Sequence, residues 1–278
     1  MKRRILFGIS FLLLTTPILL VACGGDDDGV APQPTPTPTV VTMFASLDNT
    51  QEAPSPTAST AKGFGMLTLD TATNRISGFI VDTVANATAA HIHGPAARGT
   101  PAGVLVPMIP AGPGLWVLPD NAVLPAANAA DFTNGLLYYN VHNDVNPGGD
   151  IRGQIDRKGT AIQFASLDNT QEAPSPTAST AKGFGILGFD PATNRIAGAI
   201  FDNVANATAA HIHGPAARGT PAGVLVGLNP AGPGLWVLPD NAVLPAANAA
   251  DFTNGLLYYN VHNDVNPGGD IRGQIDRP

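Results

Sequence analysis

The chain has 278 residues, of which 44% are hydrophobic and only 13% charged, and its formal net charge is −7. Two Glu set against 31 Gly and 26 Pro leave little material for long charged helical faces and favour many turns and short strands. No basic cluster follows the first four residues, which excludes nucleic acid and anionic membrane surfaces as electrostatic partners.

In chain order, the first element is an export signal over residues 1–23. Lys2-Arg3-Arg4 precede a mostly apolar run from Ile5 to Ala22, which ends Leu20-Val21-Ala22-Cys23-Gly24. This ending resembles the bacterial lipobox, so Cys23, the only cysteine, is the expected lipidated first residue of the mature chain. The alternative is an uncleaved membrane anchor, because about 18 apolar residues approach the length of a span. Cleavage removes three basic residues and leaves 11 basic against 21 acidic ones, a net charge of −10. Residues 24–41, with Asp26-Asp27-Asp28 and a Pro/Thr run, predict a disordered, extended tether reaching on the order of 60 Å. The expected location is the cell envelope, with the chain held to the membrane by lipid at Cys23 and facing the periplasm or the exterior.

Next comes a duplication. Residues 44–157 recur at 164–277 with an offset of 120. The copies differ at Met66/Ile186, Thr68/Gly188, Leu69/Phe189, Thr71/Pro191, Ser77/Ala197, Phe79/Ala199, Val81/Phe201, Thr83/Asn203, Pro107/Gly227, Met108/Leu228 and Ile109/Asn229. The period fits a domain and is too long for a solenoid unit. It predicts domains at 42–157 and 162–278 that each fold alone, joined by a short linker at 158–161. Phe79/Ala199 and Val81/Phe201 are two apart on one strand and exchange a large ring. Their face is either one core layer with compensating volumes or a surface strip where size does not matter.

Within each copy, short apolar or alternating runs are separated by turn residues. In the first they are Gly63–Leu69, Ile76–Val81, Ala89–His93, Val104–Met108, Leu115–Leu118, Leu136–His142 and Ile151–Ile155. A short helix is expected from about Pro125 to Thr133, stopped by Asn134-Gly135. The fold class is therefore all-β: two tandem antiparallel Greek-key-like β-sandwiches, each with one short helix.

Each copy has three histidines: His91, His93 and His142 in the first, His211, His213 and His262 in the second. Residues i and i+2 of a strand share a face, so His91 and His93 lie side by side. With His142 on a neighbouring strand, three imidazoles could converge on one copper or zinc ion per domain. The competing reading is structural, with the histidines hydrogen-bonded to Asp150, Asp82 or Gly-rich turns. Arg152 (Arg272) and Gln154 share a face opposite Ile151 and Ile155. Either the arginine is solvated or it is buried and paired with Glu52 (Glu172) or Asp82. The sequence contains no Gly-X-Ser-X-Gly elbow, phosphate loop, cysteine pair or His-Glu-X-X-His, so no complete catalytic set is present. The single tryptophan of each copy, Trp116 and Trp236, is expected to pack.

Several motifs resemble the CHRD domain, first described in chordin: Leu47 to Pro54, Ala89-Ala90-His91-Ile92-His93-Gly94-Pro95-Ala96, Leu137-Tyr138-Tyr139-Asn140-Val141-His142, and Asn146 to Ile155. Asp150 stands where that family often has Glu. The resemblance implies an exported β-rich module and names no activity. A weaker resemblance, to Cu/Zn superoxide dismutase, would make His91, His93 and His142 copper ligands with Arg152 over the copper. A fourth copper histidine, a zinc loop and disulfide cysteines are all missing. The function expected is a surface-anchored, non-enzymatic binding or structural module with an unidentified extracytoplasmic ligand, whose paired copies gain avidity. The alternative is a copper-binding or copper-dependent redox protein.

Overall fold

The computed structural model describes residues 39–159 and 161–276; the signal, Cys23 and the tether up to residue 38 lie outside them. The first copy contains β1 (Val40–Asp48), β2 (Lys62–Asp70), β3 (Ile76–Asp82), β4 (Ala87–His93), β5 (Val104–Pro107), β6 (Ile109–Gly112) and β7 (Leu115–Val117). After these come α1 (Ala129–Thr133), β8 (Tyr138–Asn143), β9 (Ile151–Gln154) and β10 (Arg157–Lys158). The second copy repeats the pattern with β11 (Ala161–Asp168), β12 (Lys182–Asp190), β13 (Arg195–Asp202), β14 (Ala207–His213), β15 (Val224–Gly227), β16 (Asn229–Gly232) and β17 (Leu235–Val237). It ends with α2 (Ala249–Thr253), β18 (Leu257–Asn263) and β19 (Ile271–Ile275).

The sequence pattern finds seven of these strands in the first copy and misses three. β1 sends Met43, Ala45 and Leu47 to the core and Phe44 to the opposite face, and it starts at Val40, taking the last two residues of the expected tether. β6 carries Pro110 and has no apolar alternation; it is an edge strand on β7, where a missing N–H is tolerated. β10 takes Lys158, the first residue of the expected linker, into the sheet, where it pairs with Met43, and Gly159 N donates to Thr42 O at 3.1 Å.

Each copy forms an antiparallel sheet in the order β5-β4-β8-β9-β1-β2-β3-β7-β6, or its equivalent. Its two edges, β5 and β6, are consecutive in the chain with only Met108 between them. The sheet must therefore roll back on itself into two layers. One layer is β5-β4-β8-β9 and the other β1-β2-β3-β7-β6. They meet at the Met108 corner, where Met108 N donates to Ala90 O at 3.0 Å, and at the single β1–β9 pair Asp48↔Arg152.

Core side chains come from alternate positions of both layers, among them Leu47, Leu67, Ile80, Ile92, Val141 and Ile151. Tyr139 crosses the core and its hydroxyl donates to Met66 O at 2.8 Å. Its ring occupies the space where a Cβ on Gly65 would sit, 2.6 Å away. Tyr259 does the same in the second copy, against Gly185 and Ile186 O.

The copies also share a third apolar cluster, and the described residues form one compact unit. The strand alternation accounts for five of the eleven substitutions. Met66, Thr68, Ser77, Phe79 and Val81 all lie on the outer face of β2 and β3, away from their own core. In the second copy that face, with β16 and β17, packs under the first copy's β1 and β2. Phe44, stacked on Phe64 at 5.7 Å, lies where a Cβ on Gly188 would collide with its ring. Ala197 and Ala199 are buried beside it. The exchange at Phe79/Ala199 is therefore neither a layer of the domain's own core nor a free surface; it belongs to the contact between domains.

Polar contacts frame this contact. Ser46 Oγ donates to Leu238 O at 2.8 Å. Arg157, 2% exposed, donates to Ile196 O, Pro239 O and Asp240, the last at 2.6 Å. Arg98 bridges Asp156 and Asp240 at 2.8 and 2.6 Å.

Candidate metal centre

The face of β4, β8 and β9 that points away from the core is polar, and loops bury it. Register aligns His91, Asn140 and Arg152 in one row across the three strands, and His93, Tyr138 and Gln154 in the next. His142 sits opposite Ala89, one step further along. The alternation that sends Tyr139 and Val141 inward sends Tyr138, Asn140 and His142 to this layer.

The three imidazoles converge as the sequence predicts, with one nitrogen from each within 4.8 Å of the others. His91 Nδ1 lies 3.0 Å from His142 Nε2. Two of the rings are fixed from behind. His93 Nδ1 faces Ala102 O at 3.0 Å and His142 Nδ1 faces Pro147 O at 3.1 Å. A carbonyl only accepts, so each Nδ1 carries the proton and each Nε2 keeps its lone pair turned into the cluster. His93 Nε2 is buried there with no hydrogen-bond partner. The second copy repeats the geometry: His211 to His262 at 3.0 Å, His213 on Ala222 O, His262 on Pro267 O, and a buried, unpartnered His213 Nε2.

Burial pushes all six imidazoles below their ordinary range, His93 and His262 to about 4. They are neutral near pH 7, the form in which histidine binds metal. Metal–nitrogen bonds of about 2.0–2.1 Å suit the 3.0 Å His91–His142 edge. Each triad could hold a metal ion.

Of the expected partners, a Gly-rich turn holds one ring, since Pro147 O belongs to Pro147-Gly148-Gly149, whereas neither Asp150 nor Asp82 bonds a histidine. Asp150 accepts from Ser59 and Asn146, and Asp82 accepts from Trp116 Nε1 at 3.0 Å, which ties the packed tryptophan to a polar partner. Arg152 is 1% exposed and therefore buried, but its guanidinium donates to Thr100 O, Ala97 O and Gln154 Oε1 rather than to a carboxylate. Its guanidinium lies 3.6 Å over the Tyr138 ring, and Tyr138 stacks on His93 at 5.0 Å. Arg272, Tyr258 and His213 repeat the stack.

Glu52 and Glu172 lie under the same loops, each accepting from an asparagine, Asn140 or Asn260. Burial raises both carboxyls to about 7, against the opposing effects of the asparagine and arginine. Sequence reasoning places Gln154 on the face of Arg152 but does not single out Tyr138 or Asn140. Their signal was available in the period-2 step from His142 and the pairing of β8 with β9.

Fold and site together define an all-β tandem module with a buried histidine triad in each half. Both halves match the family model of the CHRD domain, over residues 43–155 and 164–275, and the chain belongs to that family. No curated protein and no solved structure matches it.

Proposed function

We propose that this chain is an envelope-anchored, non-enzymatic binding module in which each CHRD domain holds one copper or zinc ion. The ligands are His91, His93 and His142 in the first domain and His211, His213 and His262 in the second. The observation that carries this reading is the buried, unpartnered Nε2 of His93 and of His213, each on a ring whose other nitrogen is committed to a carbonyl. A buried acceptor without a donor is costly, and a cation supplies what is missing. Backbone carbonyls that fix the tautomer from behind are the outer contacts that metal-bound histidines use. Three imidazoles without thiolates suit copper or zinc and disfavour hard cations such as calcium.

The lipobox supports a lipid anchor at Cys23, and the Pro/Thr tether supports display of the module away from the membrane. Elemental analysis of chain purified without chelators tests the metal reading. Two copper or zinc ions per chain are expected, and none in the His93→Ala/His213→Ala double variant. Metal-free wild-type chain that also takes up neither ion on titration would defeat it. Cys23→Ser tests the anchor separately: the chain should leave the membrane fraction, and unchanged membrane association would count against lipidation.

A further inference from the structure

We propose that Asp240 of the second domain is a positioning residue for the histidine triad of the first, so that two triads with the same ligands hold their metal unequally. The inference rests on the metal reading of the triads. The loop of residues 97–102 braces the first site. Ala102 O fixes the His93 ring, and Ala97 O and Thr100 O accept from Arg152, whose guanidinium lies over the Tyr138 ring on which His93 stacks. Arg98 stands in the middle of this loop. Its guanidinium grips both carboxylate oxygens of Asp156 in its own domain, at 2.8 and 3.0 Å, and reaches across to Asp240 at 2.6 Å. Asp240 lies between β17 and α2 and also accepts from Arg157, 2% exposed, at 2.6 Å. The carboxylate that Arg98 meets is therefore itself anchored in the contact between domains.

The second domain is an internal control. Residues 217–222 have the sequence of 97–102 and the same internal bonds. Ala222 O fixes His213, Thr220 N donates to Ala217 O at 3.1 Å against 3.2 Å in the first loop, and Ala222 N donates to the Tyr258 hydroxyl at 2.9 Å, as Ala102 N does to Tyr138. Arg218, however, turns to Gln171 and Asp276 of its own domain. It bonds one oxygen of Asp276 at 2.6 Å, and the other, Oδ1, is buried without a partner. What distinguishes the loops thus lies outside them. A two-oxygen grip joined to a network of charges contributes where an isolated surface pair does not. Metal leaves a buried site through local opening of the parts that orient its ligands, and a loop tied at its middle opens less often. By reciprocity, an ion in the first site favours the closed loop and with it the contact with the second domain.

The test uses chain lacking residues 1–22 and carrying Cys23→Ser, with one triad disabled at a time. His213→Ala leaves the first site and His93→Ala the second. Each is loaded with zinc, or with copper where zinc is not taken up, and release into excess chelator is followed. The first site should release its ion about fivefold more slowly than the second. Asp240→Asn should bring the first site to the rate of the second and leave the second unchanged. Arg98→Ala, which spares the Arg157–Asp240 pair, should speed the first site at least as much. Amide hydrogen exchange reads the loops without metal. Peptides that run through 107–109 or 227–229, where the copies differ, should show residues 97–102 about fivefold better protected than 217–222, a difference that Asp240→Asn abolishes. Chain that takes up neither ion defeats the metal reading and this inference with it. Sites that load and release at one rate, a first site indifferent to Asp240→Asn or Arg98→Ala, or loops that exchange alike would overturn the positioning role and leave the metal reading standing.

Discussion

Glu52 shows how far a single residue is legible before any coordinates. Its rarity marks it, because the chain has one Glu in each copy. Its partner Asn140 carries no such mark, and burial is a property of the loops above it. Glu52 Oε1 and Asn140 Oδ1 are both buried without a partner, as are Glu172 Oε1 and Asn260 Oδ1. A proton on the carboxyl adds a donor to each pair, in keeping with the raised value of about 7. The folded carboxyl then binds its proton more tightly than the unfolded one, which titrates near 4.5. Its contribution to stability is full below about pH 4.5 and is lost as pH rises through about 7. The depressed histidines act with the opposite sign, adding stability as pH rises between about 4 and 6.5. Comparing the parent with Glu52→Gln isolates the carboxyl. Urea melts should show the parent losing about 2 kcal/mol more than the variant between pH 5 and pH 8. Equal losses in the two proteins would show that Glu52 is ionised in the folded state.

At the scale of the strand, period-2 reasoning places the site correctly because the same alternation governs both faces of β8. Tyr139 and Val141 go to the core, and Tyr138, Asn140 and His142 go to the polar layer. What the pattern cannot supply is which backbone carbonyls lie behind the rings, since Ala102 and Pro147 come from loops with no periodicity. The same limit hides β6, which is strand only because β7 pairs with it. Tyr139 gives the strand-level prediction. Gly78→Ala places a Cβ against Met66 O and 3.0 Å from the Tyr139 hydroxyl. The cost should be about 1–3 kcal/mol, read as a lower urea midpoint. A neutral outcome would mean that the two layers can separate to admit a methyl group.

For the whole molecule, the repeat is legible in the sequence and the contact between its copies is not. The substituted positions reveal it only once their alternation is set against a structure that says which face is inward. Self-sufficient domains are therefore an incomplete description. Each copy buries its own core, and a further cluster forms only when both are present. Ala199→Phe in the tandem chain should cost about 1–3 kcal/mol, because the ring must enter a covered seat rather than a free surface. Unchanged thermal stability would mean that the two outer faces part easily.

The position of β1 has a mechanical consequence. This strand receives the N-terminal segment at Val40, pairs along its length with β2, and carries Phe44 into the seat on the second domain. A pull on the N-terminus therefore loads the strand that holds the two halves together. The histidines ride on β4 and β8, in the opposite layer, joined to β1 only through β9 at one residue pair. Force applied at Val40 would therefore act on the coupling between halves before it reached either histidine triad.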